Sequence, residues 1–339
     1  EDPAVTPAPP ARAPAVRVLL FGDFGSRTLP QTLVARAMVR ANARRPFDLA
    51  LQLGDNLYYC GPDPRRASAA SCRFEEDGAT VAPGVAPPDD PIFEQNEAPL
   101  RALRAKGRAP VPVFLALGNH DVGWGGDRCA VPGLAEDEAQ RRRACVEVAR
   151  RTPTWSMPGR HYVLDRGPVR IVVVDTNVVV ADYGGFTLEG ELEFVRRATA
   201  ECGAGRLCFL AGHHPPAAVH GYRIGRGSTF PARMARLVSA AGGRARAFFA
   251  GHVHVLEHLS LDALDVFVSG STAMGGFMRM KLVTPARARP RFATTAWGYA
   301  VLEADALGGW GVRFFDAWGD PLYCCAAGES GPCRPAACG

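Results

Sequence analysis

A chain of 339 residues, 47% hydrophobic and 22% charged, holds enough apolar side chain to bury a sizeable core, in one large domain or two smaller ones. No apolar run approaches the ~20 residues that cross a bilayer as a helix, so no membrane span is expected. The net charge of +5 rests on scattered arginines, only Lys106 and Lys281 of the 39 basic residues being lysines; no aromatic-interleaved basic block points to nucleic acid.

The first fifteen residues, EDPAVTPAPPARAPA, read as an extended, poorly packed Pro/Ala-rich leader, the kind of stretch left by removal of a signal peptide. Ten cysteines and no CxxC pair argue against a thiolate metal site and for disulfides, hence for a secreted or periplasmic protein. Cys60 and Cys72, Cys129 and Cys145, and Cys202 and Cys208 are close in sequence, and four more crowd the end, but the pairing stays open.

In chain order, the apolar runs 16–21, 48–53, 112–117, 169–175, 206–211 and 246–251 predict buried strands, bounded by Gly, Pro and Asp. Helical spacing falls at 29–45, 91–106, 135–150, 188–201 and 229–242. This alternation predicts an α/β fold with a largely parallel central sheet. Residues 256–303 and 310–316 read as shorter strands with tight turns. Segments near 60–90 and 121–160 read as disulfide-pinned insertions in a single domain covering 16–318, and 319–339 as a Cys-rich tail.

Five predicted strands end in residues that carry chemistry: Gly22-Asp23-Phe24-Gly25, Gly54-Asp55-Asn56-Leu57-Tyr58, Gly118-Asn119-His120-Asp121, Gly212-His213-His214-Pro215 and Gly251-His252-Val253-His254. Ligands gather at the C-terminal ends of strands in open α/β sheets, so these five ends should meet in one crevice. Singly, a Gly-Asp is a turn and helix cap, and a Gly-His-x-His is as often loop chemistry as a metal site. Together the five outweigh that reading. Asp, Asn and His donors suit Fe, Zn or Mn, and two ions sharing a carboxylate can clamp both oxygens of a phosphoryl transfer.

In that series (GDFG, GDNLY, GNHD, GHHP, GHVH) the chain resembles the calcineurin-like metallophosphoesterases, and more narrowly the small, tartrate-resistant purple acid phosphatases, over about residues 16–303. The first block has Asp-x-Gly where most of the superfamily has Asp-x-His, and Tyr58 stands where the purple enzymes have an iron-binding tyrosinate. The resemblance implies a four-layer αββα sandwich of two mixed sheets flanked by helices. It implies Fe(III) at Asp23, Asp55, Tyr58 and His254, and Fe(II), Zn(II) or Mn(II) at Asp55, Asn119, His213 and His252, with Asp55 bridging. It further implies hydrolysis of phosphate monoesters, small-molecule or peptide, by a monomer: a metal-activated hydroxide attacks phosphorus in line, and His120, with His220, assists the leaving group.

Asp121 is expected to orient His120. Asp175 is held in reserve behind the site, His214 is placed at its mouth, and His161 and His258 are left out. A phosphodiesterase or nucleotidase could use the same ligands, and a secreted iron- or phosphate-binding protein is the alternative without catalysis.

Overall fold

The computed structural model describes residues 16–104, 109–203, 205–219, 229–275, 287–328 and 331–338. Strand β1 (Val16–Phe21) is buried along its whole length, as an apolar run covered on both faces must be. It pairs in parallel with β2 (Leu49–Gln52), which pairs in parallel with β3 (Val113–Leu115). Between β1 and β2 runs α1 (Leu29–Arg44), started by Pro30 and by Thr28, whose hydroxyl accepts from Gln31 N at 3.3 Å. A second parallel set comprises β7 (Val169–Val173), β8 (Leu207–Ala211) and β9 (Ala245–Ala250), with the short α5 (Asn177–Val180), α6 (Leu188–Ala200) and α7 (Phe230–Ala240) between them.

These sets belong to two sheets. The last third of the chain supplies β10 (Leu256–Leu261), β11 (Leu264–Ser269), β12 (Ala288–Thr294), β13 (Gly298–Ala304), β14 (Trp310–Asp316), β15 (Pro321–Ala327) and β16 (Arg334–Pro335). The first sheet also takes a short hairpin, β4 (Arg151–Thr152) and β5 (Trp155–Ser156), and the second takes β6 (Tyr162–Arg166) at its edge. The strand orders are β16-β15-β14-β13-β1-β2-β3-β5-β4 and β12-β10-β11-β9-β8-β7-β6, each mixing parallel and antiparallel pairs. The fold is therefore the four-layer sandwich, and the single, largely parallel sheet expected from strand–helix alternation is corrected. Hydrophobic periodicity marks a strand as covered but does not say which strand it pairs with.

Side chains alternate accordingly. Val18, Leu20, Ile171, Phe209, Phe249 and Phe267 fill the space between the sheets. Leu19 and Phe21 point the other way, onto Val34 and Met38 of α1, while Leu210 and Phe248 pack on Leu192, Met234 and Leu237. Each such fully buried side chain contributes roughly 2–3 kcal/mol.

The expected helix 91–106 is a 3₁₀ turn, Pro91–Phe93, followed by α3 (Glu94–Leu100) with Pro99 inside it. The two insertions carry α2 (Ala67–Ser71) and α4 (Glu136–Ala149) and are cross-linked to each other by Cys60–Cys129 and Cys72–Cys145. Of the three pairs close in sequence, only Cys202–Cys208 is bonded. Cys324–Cys338 and Cys325–Cys333 close the tail, and no cysteine is free. Five disulfides fit an oxidising compartment. The tail is itself structural: β15 and β16 extend the first sheet, and Cys333 N donates to the buried Asp265 at 2.7 Å. The leader, residues 1–15, lies outside the described residues.

Candidate metal centre

The loops after β1, β2, β3, β8 and β9 converge at one end of the sandwich, and the local backbone is shaped for it. Asp23, Asp55 and His252 have positive φ (56°, 51° and 66°), a region costing on the order of 1 kcal/mol for a residue with Cβ. Close approach explains two of the glycines: a methyl at Gly54 would stand 2.6 Å from His213 Nδ1, and one at Gly251 2.7 Å from Asp23 Oδ2.

Two groups of donors result. In the first, Tyr58 Oη donates to Asp23 Oδ1 at 3.0 Å and lies 3.3 Å from His254 Nε2, which is 3.3 Å from Asp23 Oδ1. In the second, Asn119 Oδ1 is 3.0 Å from both His213 Nε2 and His252 Nδ1, which are 3.2 Å apart. Asp55 Oδ1 stands 3.3 Å from His213 Nε2 and accepts His120 N at 2.9 Å, while the Asp55 carboxylate also lies within reach of Tyr58. Donors ~2.1 Å from one ion at angles of 90–110° are about 3.0–3.4 Å apart, so both groups have the spacing of a coordination shell. Carboxylate and nitrogen atoms of Asp23, Asp55 and His213 also fall within 4.8 Å of one another.

The electrostatics point the same way. Asp23 and Asp55 are buried, and among the described residues their ion-pair partners are histidines only. Burial, opposed and outweighed by His213, leaves the Asp55 carboxyl well below its ordinary range. Burial lowers His213, but Asp55 and Asp23 overcome this and raise it to about 9; burial and His213 push His252 down to about 3. Tyr58 is driven well above 10 by burial and then by Asp23 and Asp55, so its ionisation requires a cation alongside. His213 Nδ1 donates to the Leu53 carbonyl at 2.9 Å, which leaves Nε2, on the side of Asn119 and Asp55, as the atom that would ligate an ion. Hard oxygen and imidazole donors of this kind fit two transition-metal ions.

All seven sequence-derived candidate ligands, Asp23, Asp55, Tyr58, Asn119, His213, His252 and His254, meet here. His120 joins them, its ring 4.5 Å from that of Tyr58 and its Nε2 4.0 Å from Asp55 Oδ2. His220 lies outside the described residues.

Asp121 does not orient His120. It accepts from Leu57 N (2.9 Å), Gly118 N (2.6 Å) and Asn56 Nδ2 (3.0 Å), and His120 Nδ1 instead meets the Tyr59 carbonyl at 2.7 Å. His258 sits in the core between Asp265 and Tyr323, and His161 binds Glu191 and stacks on Phe194, so neither reaches the site.

Two residues that the motifs did not mark support the centre. Thr176 Oγ1 accepts from His213 N (3.2 Å) and His214 N (2.9 Å), which leaves its own proton for His214 Nδ1 at 2.9 Å. His214 is therefore the Nε2–H tautomer, its ring 4.4 Å from that of His252 and buried rather than at the mouth. Asn177 Nδ2 donates to Gly118 O at 3.2 Å, behind Asn119. The only sequence signal for this pair was the position of Asp-Thr-Asn after a strand.

The fold and this donor set define a class. The chain belongs to the calcineurin-like phosphoesterase family, whose profile matches residues 16–256. Comparison by sequence with curated proteins finds no match. Similar solved structures include GAP50, described as the anchor in the inner membrane complex of Plasmodium (TM-score 0.63, 16% identity, 91% of this chain and 87% of that one). Another is the purple acid phosphatase PPD1 from yellow lupin, Lupinus luteus, seeds (0.62, 15%, 91% and 54%), so this chain covers about half of the lupin enzyme. A third is a dimetal phosphatase from Danio rerio (0.52, 13%, 94% and 100%). At these identities the likeness establishes the fold. Family and neighbours together support a metal-dependent phosphoesterase.

Proposed function

We propose that this protein hydrolyses phosphate monoesters as a purple-type acid phosphatase, secreted or periplasmic, with Fe(III) held by Asp23, Tyr58 and His254 and a divalent Fe, Zn or Mn by Asn119, His213 and His252. Asp55, which adjoins both groups, would be the carboxylate they share. The observation that carries this reading is the pair of donor groups with edges of 3.0–3.3 Å on either side of Asp55. Two ions held by these residues would supply positive charge for the phosphate oxygens and would acidify water for attack on phosphorus near neutral pH.

The chain's own residues do the rest. Asp23 and Asp55 fix the charge of the centre, and Leu53 and Thr176 hold the imidazoles in one tautomer. His120, its Nδ1–H on the Tyr59 carbonyl, presents Nε2 toward the space beside Asp55 and delivers a proton to the leaving oxygen. His220 is a second candidate proton donor. Phosphoryl transfer asks chiefly for such positioning and charge.

The test is metal analysis and a visible spectrum of the purified protein, with turnover of a panel of monoesters and diesters. Two ions per chain, a tyrosinate-to-iron band and a preference for monoesters are expected. Faster cleavage of diesters would move the assignment to a phosphodiesterase, and a fully metallated protein without turnover would leave a binding protein.

A further inference from the structure

Arg143, on α4, is only 4% exposed, yet no carboxylate among the described residues lies within ion-pair distance of it. Its Nη2 donates to the Cys129 carbonyl at 2.9 Å, and its Nε has no partner. The nearby acids are engaged elsewhere: Asp63 takes both nitrogens of Arg65 at 2.9 Å, and Asp90 accepts from Asp63 N (2.7 Å) and Ile92 N (3.0 Å) with Arg66 at 3.5 Å. Asp63 still acts on Arg143 through its charge, but not as a direct ion pair; a buried arginine lacking one is costly, and its fork is shaped for an oxyanion.

Arg143 packs its guanidinium against Gly123 and lies between two cavities. It lines a cavity of about 340 Å³ walled by the Cys60–Cys129 disulfide, with exposed Arg128 and Arg65 and the carboxylates Asp63 and Asp90 also in its lining, and a second of about 200 Å³ beside Gly123, Asp127 and Glu136. The larger cavity adjoins the site loop, because the Tyr59 carbonyl meets Cys129 Sγ at 3.6 Å and His120 Nδ1 at 2.7 Å.

We propose that the larger cavity is an oxyanion-binding site, Arg143 at its base and Arg128 at its rim, taking a phosphate group distinct from the one at the metal centre. The phosphate is either a free anion or the second phosphate of a doubly phosphorylated substrate. The site stands whether or not the phosphatase reading does, because its binding is measured without turnover.

The experiment is calorimetric titration of the metal-loaded protein with inorganic phosphate. Two classes of site are expected in the wild type. Arg143→Gln should abolish one class, and Arg128→Ala, at an exposed position, should weaken the same class by about 3- to 10-fold, both with unchanged metal content. Phosphate binding unaltered in folded Arg143→Gln, whether in one class or two, overturns the proposal, whereas a single wild-type class that this variant abolishes supports it and counts against the metal centre alone; if the variant fails to fold, unaltered binding in Arg128→Ala overturns it. KM for butane-1,4-diol bisphosphate against butyl phosphate then separates the sources. A selective rise for the bisphosphate in the variants identifies the substrate's second phosphate, and equal KM values with loss of the phosphate class identify the free anion.

Discussion

At the scale of single residues, Asp55 and Tyr58 separate the general reading from the narrow one. Asp55 is the carboxylate common to both donor groups, so Asp55→Asn should cost at least one ion per chain by metal analysis. It should also lower kcat/KM by ~10³-fold, about 4 kcal/mol of transition-state stabilisation. Full activity in that variant would sink the bridging role. Tyr58 tests the iron: its hydroxyl sits 3.0 Å from Asp23, and Tyr58→Phe should erase the visible band while leaving the far-UV circular dichroism unchanged. An unchanged band would exclude Tyr58 as its source. Of this geometry the sequence disclosed the candidate ligands, which the structure brings together, but not their supports. Asp121 lies beside His120 in the chain, yet its carboxylate turns to Leu57 and Gly118 because a buried carboxylate takes the backbone donors nearest it in space.

At the scale of elements, the loops at the strand ends are held by buried polar groups drawn from different elements. Thr176, after β7, serves the loop after β8, so Thr176→Val would strand two buried N–H groups. A loss of roughly 2–4 kcal/mol in denaturant unfolding is expected, and a loss below 1 kcal/mol would show that the hydroxyl is dispensable. Glu147 of α4 shares Asn56 Nδ2 with Asp121, and burial raises its carboxyl from 4.5 to about 8. Its folded pKa exceeds the unfolded one, so the folded state keeps a proton the unfolded state has lost. Stability should therefore fall as pH rises from about 4.5 toward 8, and Glu147→Gln should flatten that slope in unfolding titrations. A wild-type slope retained in the variant would place the proton elsewhere.

At the scale of the whole molecule, the disulfides are unequal. Cys60–Cys129 and Cys72–Cys145 span 69 and 73 residues, whereas Cys202–Cys208 spans 6. In the chain-entropy account a loop of that larger size is worth about 4 kcal/mol and the small one about 2. The two long bridges run side by side, so with one in place the other closes a much shorter loop. Replacing either pair by alanine should thus lower unfolding free energy by less than half of what replacing both does. Equal, additive losses would show that the insertions are not coupled. The insertions also carry Arg143, Arg128 and Glu147, so this cross-linking bears on the proposed anion site as well as on stability.

What the residues alone determined is the chemistry at each strand end and the helices α1, α4, α6 and α7, because donor type and apolar period are local properties of the chain. The tertiary structure decided that the strands divide between two sheets, that the disulfides join the two insertions, and that the Cys-rich tail is an edge of the first sheet. It also decided that Thr176 and Asn177 stand behind the candidate ligands and that Arg143 is buried without a carboxylate within ion-pair distance among the described residues. Each of these depends on which groups, distant in sequence, share a small volume, and side-chain periodicity records only that a residue is covered, not by what.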